Sequence, residues 1–126
     1  MESLLKTIEL KDTSLEFYSN YVISNVKEDV IFEDHHVEQI LKICNVVFNF
    51  QPFVYISNRR VAYNVNPTIY FGLKNLDDLV GIAIVTNESK GQKTAHFEKQ
   101  FSPIPFDIFT NMEEAIAWSK SLLNKK

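Results

Sequence analysis

The first quarter of the chain carries apolar residues at the spacing of β-strands. Three strands are predicted over Leu4–Leu10, Leu15–Tyr18 and Tyr21–Val26, and apolar and polar residues alternate in the second of them. Such alternation is typical of antiparallel strands that bury one face. Ser19 and Asn20 separate the last two strands and suit a two-residue turn, because Asn tolerates a positive φ. The segment therefore predicts an antiparallel hairpin.

A helical period replaces the strand period further along the chain. We predict a helix from Asp34 to Asn49, because apolar residues recur there at intervals of three and four. This stripe consists of Val37, Ile40, Leu41, Cys44, Val47 and Phe48. Asp34 is the predicted N-cap, since its carboxylate can accept hydrogen bonds from the free amides of the first turn. Pro52 follows and ends the helix.

The middle of the chain combines buried strands with a polar connection. Phe53–Ile56 is a short apolar run that predicts a buried strand, and a polar segment follows it. Pro67 then opens a short predicted helix over Thr68–Asn75, because proline suits the first helical position. The apolar, β-branched run Leu79–Thr86 indicates a strand that is covered on both faces.

The last third of the chain predicts a helix, a strand and a second helix. Gln92–Gln100 is polar with widely spaced apolar residues, as in a surface helix, and Phe106–Phe109 is a short strand. Thr110 and Glu113 then match the T-x-x-E capping box that starts a helix. The apolar stripe of this final helix consists of Met112, Ala115, Ile116, Ser119, Leu122 and Leu123.

The predicted element order is β-β-β-α-β-α-β-α-β-α. Helices between strands favour parallel crossovers, whereas the opening hairpin is antiparallel. We therefore expect an α/β fold, with a mixed β-sheet that has an N-terminal antiparallel hairpin and parallel crossovers and is covered by about four helices. The 126 residues suit a single domain over residues 1–126 and can bury a core without a disulfide.

Composition narrows the classes of partner. The net charge is −3, and phosphate backbones are bound mainly through Lys and Arg, so we expect no nucleic-acid partner. A single cysteine, Cys44, rules out an internal disulfide and suits a reducing compartment. The first ten residues lack the apolar core of a secretory signal, and no apolar stretch approaches the roughly 20 residues of a membrane span. We expect a cytoplasmic protein.

Polar side chains are concentrated after the strand Phe53–Ile56. Ligands in open α/β sheets lie beyond the carboxyl ends of the strands, so this segment is the candidate site for a partner or ligand. The adjacent arginines can offer forked donors to a phosphate, a carboxylate or an acidic protein surface. The candidate residues are Ser57, Asn58, Arg59, Arg60, Tyr63, Asn64, Asn66 and Tyr70.

A second interpretation of this segment is purely structural. In that interpretation the arginines are solvated and the polar side chains satisfy the backbone of turns. The alternation of Val61, Tyr63 and Val65 also fits an extra edge strand. Both interpretations stay open at the level of the sequence.

No catalytic or metal-binding group emerges from the remaining residues. His35 and His36 are adjacent and are expected to point to different sides of a helix, so we predict surface histidines and no metal site. Cys44 falls on an apolar stripe and is predicted to be a buried, unreactive thiol. No glycine-rich phosphate loop or nucleophile motif occurs. We expect no cofactor and no enzymatic activity.

Three landmarks resemble the SpoIIAA-like group of the STAS superfamily. The strand Phe53–Ile56 leads directly into Ser57, and Val80–Val85 is similar to the central "G-x-A-h-V" strand of the group. The end of the chain, from Phe106 to Trp118, is similar to its closing "F-x-x-x-x-E-A-x-x-W" pattern. More narrowly, the segment from Pro52 to Tyr70 resembles short uncharacterised proteins of Bacteroidetes-type bacteria. The resemblance covers nearly the whole chain.

This resemblance implies a regulatory module that binds another protein. In the anti-sigma-factor antagonists that give the group its name, a serine after the corresponding strand is phosphorylated and controls binding. Ser57 lies nearest that position, although the "D-S-S-G"-like surroundings of the group are replaced by Ser-Asn-Arg-Arg. The first expectation is therefore a non-catalytic interaction module with an unidentified protein partner, in which Ser57 is the candidate phosphorylation site.

The group also resembles the lipid-binding Sec14 fold, which implies an alternative function. The chain would then carry a small apolar or amphiphilic ligand, with Arg59 or Arg60 at the mouth of the pocket. The aromatic residues expected to line it are Phe50, Phe53, Tyr55, Tyr70 and Phe71. A homodimer through an edge strand or an aromatic patch is compatible with either function.

Overall fold

A computed structural model of the chain describes residues 4–27, 30–59, 64–65, 67–75 and 77–124. Its main sheet has six strands, which lie side by side in the order β1 (Lys6–Glu9), β2 (Thr13–Phe17), β3 (Tyr21–Val26), β5 (Phe53–Asn58), β7 (Leu79–Val85) and β8 (Phe106–Phe109). A separate two-stranded parallel sheet pairs β4 (Ile31–Phe32) with β6 (Asn64–Val65). The helices are α1 (Asp34–Val47), a 3-10 helix (Pro67–Asn75), α2 (Ser89–Lys99) and α3 (Met112–Leu123).

The predicted fold class is confirmed. Strands β1, β2 and β3 are antiparallel, and β3, β5, β7 and β8 are parallel. The hairpin turn closes at the predicted position, with the amide of Tyr18 donating to the carbonyl of Tyr21 at 2.9 Å, but Asn20 does not adopt the positive φ that the prediction invoked. The four predicted helices correspond to three α-helices and one 3-10 helix. Among the described residues, no helix combines the length and the apolar character that a membrane crossing requires.

The strand order explains why the two faces of the sheet differ. Each parallel strand is followed along the chain by its neighbour in the same direction across the sheet. Connections between parallel strands are right-handed, so all of them lie on the same face. This crossover face is covered by α1, the 3-10 helix and α2, which pack on residues such as Ile82 and Ile84. The opposite face, here called the α3 face, receives the chain after the last strand, and α3 packs there on Ala83 and Val85.

Helix α3 approaches β7 closely, and the approach depends on a glycine. A Cβ atom added to Gly81 would lie 2.5 Å from Cδ1 of Leu122 and 3.3 Å from the ring of Trp118. Real Cβ atoms do not come so close to a neighbouring atom. Ala115, which is fully buried, brings the helix backbone near the sheet one turn earlier. Small residues therefore set the spacing between α3 and the sheet.

Both predicted helix caps are wrong by one residue. Helix α1 begins at Asp34 itself, so the N-cap is Glu33, and its amide donates to Nδ1 of His36 at 3.0 Å. Helix α3 begins at Met112, so the predicted Thr110–Glu113 box does not form. The side chain of Asn111 instead accepts from the amide of Glu114 at 2.9 Å. The sequence cannot distinguish the two starts of each helix, because polar residues occur both at the predicted cap and at the neighbouring position that is used.

The segment after β5 also differs from the prediction. Strand β5 continues to Asn58, so Ser57 and Asn58 belong to the strand and not to a loop. The small β4–β6 sheet was not predicted, because two-residue strands carry no period. Val65 pairs there with Phe32, outside the main sheet, whereas Val61 and Tyr63 of the predicted edge strand lie outside the described residues.

Candidate functional site

The end of β5 carries a buried arginine that is bound by a buried glutamate. Arg59 is 8% exposed and Glu98 is 1% exposed. Nη1 and Nη2 of Arg59 donate to Oε2 and Oε1 of Glu98 at 2.6 and 2.8 Å, which is the bidentate geometry of a strong charge-assisted pair. Nε of Arg59 also donates to Oγ of Ser57 at 3.2 Å, and the hydroxyl of Tyr70 donates to Oε1 of Glu98 at 2.5 Å.

This buried cluster joins three separate segments of the chain. Ser57 and Arg59 come from the end of β5, Tyr70 from the 3-10 helix, and Glu98 from α2. The forked donors of Arg59, which the sequence suggested for an external anion, therefore meet an internal carboxylate. Glu98 is the residue that sequence reasoning missed, because α2 was predicted as a polar surface helix. The available signal was its spacing of three residues from the buried Ala95, which places both on one helix face.

The burial of Ser57 argues against its predicted phosphorylation. The side chain is 1% exposed, and its Oγ accepts the hydrogen bond from Arg59. A kinase needs an accessible hydroxyl, and a phosphoryl group here would have to displace the packed neighbours. The resemblance placed Ser57 at the start of a loop. Because β5 is two residues longer than predicted, Ser57 instead lies within the sheet.

A cavity of about 50 Å³ lies beside the cluster on the crossover face. It is lined by Phe32, Val37, Ile40, Leu41, Tyr55, Ser57, Arg59, Ile69, Tyr70, Leu73, Leu79, Ile82 and Ile84. Binding sites for small molecules usually enclose about 300–1,000 Å³, so this cavity is several times too small for an amphiphile. It is a narrow pocket next to the polar cluster.

The aromatic pocket expected for a carrier is only partly assembled. Tyr55 and Tyr70 do line the cavity. Phe53 instead stacks on Phe48 with ring centroids 4.8 Å apart, and Phe50 is 63% exposed. The side chain of Phe71 lies outside the described part of the structure.

A larger depression, here called the carboxyl-edge groove, opens on the α3 face where the parallel strands end. Its volume is about 390 Å³, and it is lined by Glu16, Ile23, Asn58, Arg59, Val85, Thr86, Asn87, Thr110, Asn111 and Met112. Ligand sites in open α/β sheets often lie where the strand order reverses. The order of these parallel strands does not reverse, and the groove is instead formed between the strand ends and the start of α3.

The groove is polar but carries few ionisable groups. Among its lining residues only Glu16 and Arg59 are ionisable, and Arg59 is bound by Glu98. Asn58 donates to Asn25 at 3.0 Å, and Asn25 donates to Glu16 at 3.4 Å, so a row of amides leads across the sheet to the carboxylate. The wall thus offers neutral donors and acceptors, with Glu16 as its accessible charge.

The predicted site residues do not all come together. Ser57 and Tyr70 are buried on the crossover side, whereas Asn58 faces the groove. Side chains alternate along a strand, so neighbours in sequence cannot share a face. The rest of the predicted set is only partly described: Asn64 contributes backbone to β6, and Arg60, Tyr63 and Asn66 lie outside the described residues.

His35 and His36 lie together, contrary to the prediction. Their ring centroids are 3.9 Å apart, and the ligand atoms of Asp12, His35 and His36 all lie within 4.8 Å of one another. His36 is also 5% exposed and so is not a surface residue. The prediction failed because it ignored the first turn of the helix, where His36 accepts from the amide of Glu33 and both rings lie near Asp12 of the β1–β2 turn.

The hydrogen bonds of His36 define what this cluster does. Nδ1 accepts from the backbone amide of Glu33, so the proton of the neutral ring belongs on Nε2, which lies 2.9 Å from Oδ2 of Asp12. A metal ion at Nε2 would have to displace that proton, and the ring would then carry no N–H at all. The two hydrogen bonds of His36 thus connect the β1–β2 turn to the start of α1.

Cys44 is buried as predicted. It is 0% exposed, and burial raises the pKa of its thiol to about 12. The thiolate, which is the reactive form, is therefore suppressed at neutral pH. Cys44 acts as a small apolar residue on the buried face of α1.

Comparison with solved structures identifies the architecture. The chain is similar to an uncharacterised protein of the DUF3478 family from Shewanella loihica PV-4, whose crystal structure has a SpoIIAA-like fold. The TM-score is 0.55 at 13% sequence identity, and the match covers 94% of this chain and 95% of that chain. The fold is SpoIIAA-like. The resemblance drawn from the three sequence landmarks is thereby confirmed at the level of the fold, and the Bacteroidetes type stays a prediction.

The likeness does not extend to sequence. No protein-family model matches the chain, and no curated protein matches it. At 13% identity the neighbour with the SpoIIAA-like fold shows the fold alone. The function must therefore be argued from the groove and the buried cluster of this chain.

Proposed function

We propose that this SpoIIAA-like domain is a non-catalytic interaction module that binds a protein partner at the carboxyl-edge groove. The observation that carries the proposal is an open groove of about 390 Å³ at the ends of the parallel strands. The groove lies beyond the carboxyl ends of the parallel strands, which is the side of the sheet where open α/β proteins bind their ligands.

The chemistry of the groove supports binding over catalysis. Acid–base or nucleophilic catalysis needs a nucleophile or a base within hydrogen-bond reach of a partner group. The polar groups of the groove are mainly amides and hydroxyls, from Asn58, Thr86, Asn87, Thr110 and Asn111. Such groups hold a ligand without transferring protons to it.

The same groups suit an extended segment of a partner protein. A peptide backbone presents alternating N–H and C=O groups, and amide side chains can pair with both. Ile23, Val85 and Met112 add apolar surface for a side chain of that segment. We expect the segment to carry a basic residue opposite Glu16.

Two groove substitutions test this proposal in cells of the native host. A photo-crosslinking amino acid is placed at Asn87, with Ser121 on the exposed side of α3 as the matched control; both positions are exposed. We expect a defined protein adduct at Asn87 and none at Ser121. Thr110→Arg, which fills the groove, is then expected to weaken binding of that protein at least about tenfold, or roughly 1.4 kcal/mol. Equal adducts at both positions, or unchanged binding by Thr110→Arg, would contradict the proposal.

The carrier alternative receives less support. Its expected pocket corresponds to a cavity of about 50 Å³, and two of its expected aromatic residues pack or project elsewhere. Native mass spectrometry of the protein from its host separates the two functions. A small molecule that is released on denaturation would favour the carrier, whereas a bound protein would favour the interaction module.

A further inference from the structure

The two edges of the main sheet are protected to different degrees. Edge strands expose unpaired backbone groups, and proteins usually block them to prevent association. Strand β8 forms one edge and β1 forms the other. Among the described residues, a side chain blocks an outward backbone group at the β8 edge and none does so at the β1 edge.

At the β8 edge, a side chain already accepts a hydrogen bond from the backbone N–H that points away from the sheet. The amides of Ile82 and Thr86 donate to Pro105 and Phe109, and this parallel register leaves the amide of Ile108 pointing away from β7. Oδ1 of Asp107 accepts from that amide at 2.9 Å. Pro103 and Pro105 precede the strand and offer no N–H. A further strand would have to displace these features.

At the β1 edge the outward groups fall on Thr7 and Glu9. The amide of Leu10 donates to Thr13 at 2.8 Å, so Leu10 belongs to the hydrogen-bonded pairs of the β1–β2 ladder. Hydrogen-bonded and non-hydrogen-bonded pairs alternate along an antiparallel ladder, so Ile8 also bonds to β2. Thr7 and Glu9 then point their N–H and C=O groups away from the sheet, and both residues are exposed. The amide of Leu5 is already used, since it donates to Phe17.

These positions fix a register in which β1 can pair with itself. A two-fold axis perpendicular to the sheet keeps side chains on their own face, so only residues that share a face can lie opposite each other. With the axis at Ile8, Thr7 lies opposite Glu9 of the second copy, and each of these pairs exchanges both ladder bonds. Ile8 then lies opposite Ile8 in the closer, non-hydrogen-bonded type of pair. Ile8 and Leu10 belong to the apolar layer of the crossover face, so the pairing would extend that layer.

We propose that the chain forms a symmetric dimer by antiparallel pairing of β1 with β1 of a second copy, centred on Ile8. The occupant of this edge is a second copy because the register uses the outward groups of Thr7 and Glu9 and joins two equal apolar surfaces. The exposed Leu4 and Leu5 precede the strand and lie near the β1–β2 turn of the second copy in this register. The dimer is weak, since the contact is limited to one short strand from each copy.

Cysteine cross-linking tests the register directly. In this pairing the Cα atoms of the two Ile8 residues lie about 4.5 Å apart, within the range of a disulfide. We expect Ile8→Cys to form a disulfide-linked dimer under mild oxidation. Lys6→Cys is the matched control: it lies on the same face, but its two copies are about 14 Å apart at about 3.4 Å per residue. The native Cys44 is fully buried and does not compete.

Sedimentation velocity tests the dimer without a covalent link. We expect the wild-type sedimentation coefficient to rise with concentration up to about 1 mM, a range set by the small contact. Thr7→Pro removes the outward N–H and should leave a monomer, whereas Thr7→Val keeps the N–H and should dimerise like the wild type. Circular dichroism checks that both variants fold. The proposal is overturned if the wild type stays monomeric at every concentration, or if the two cysteine variants cross-link equally.

Discussion

The two faces of the sheet are covered in different ways. Three separate helices cover the crossover face, and the cluster of Arg59, Glu98 and Tyr70 lies buried among them. A single helix, α3, covers the other face through apolar side chains and a close approach at Gly81. Within the described part of the chain, the buried ion pair lies on the crossover face, and the α3 face is held by apolar contacts.

The difference shows what each kind of contact contributes. Apolar packing is non-directional, and it is sufficient for one continuous helix whose stripe already matches the sheet. On the crossover face, the end of β5, the 3-10 helix and α2 must meet in one arrangement. A bidentate ion pair with a third hydrogen bond accepts only one geometry, and we infer that it selects this arrangement at the expense of desolvation.

Breaking the ion pair should give the largest effect on stability. Glu98→Leu leaves the buried Arg59 without its counter-charge, and we expect the free energy of unfolding to fall by about 3–5 kcal/mol in urea denaturation. The control combines Ser57→Ala, Arg59→Met, Glu98→Leu and Tyr70→Phe, which removes every side chain of the cluster that would lose a partner described above. This variant should recover most of the loss. A single change that costs less than about 1 kcal/mol would show that the pair does not act as a buried unit.

Adding a methyl group to the α3 face should give an intermediate effect. Gly81→Ala forces Leu122 and Trp118 away from the strand, and we expect a loss of about 1–2 kcal/mol. Leu122→Ala relieves the contact, so it should cost less in the Gly81→Ala background than in the wild type. A double-mutant cycle measured by thermal or urea unfolding gives this coupling. Additive effects would mean that the helix shifts as a whole.

Removing the cap of α3 should give the smallest effect. Asn111→Ala leaves the amide of Glu114 without its acceptor and should lower the free energy of unfolding by about 1 kcal/mol. Thr110→Ala is the matched control, because Thr110 would be the cap in the alternative register. It should change stability by less than about 0.5 kcal/mol. The opposite ranking of the two variants would place the helix start one residue earlier.

The sequence predicted the elements better than the contacts between them. Long periodic segments such as α1 and β7 were found as expected, because their apolar residues repeat over several turns or alternations. Helix starts were displaced by one residue: Thr110 and Asn111 are both suitable caps for α3, and at α1 the bond from the Glu33 amide to His36 outweighs the preference for Asp34. The β4–β6 pair was missed because two residues show no period.

The candidate site was predicted only in part, for a related reason. The sequence located the end of β5, and Asn58 does line the groove. It could not show that Arg59 binds Glu98, because the two residues are far apart in the chain and meet only through the crossover of α2. The prediction also placed Ser57 and Asn58 in one site because they are neighbours in sequence. Within a strand, their side chains point to opposite faces of the sheet.

The burial of Cys44 has a practical consequence. The chain contains one thiol, and it lies on the buried face of α1 with no exposed surface and with its pKa raised to about 12. A thiol reagent can reach it only when α1 and the sheet separate, so the native protein carries its own indicator of opening. A ligand or partner that keeps α1 packed on the sheet would lower the rate of Cys44 labelling, whichever surface of the protein it binds.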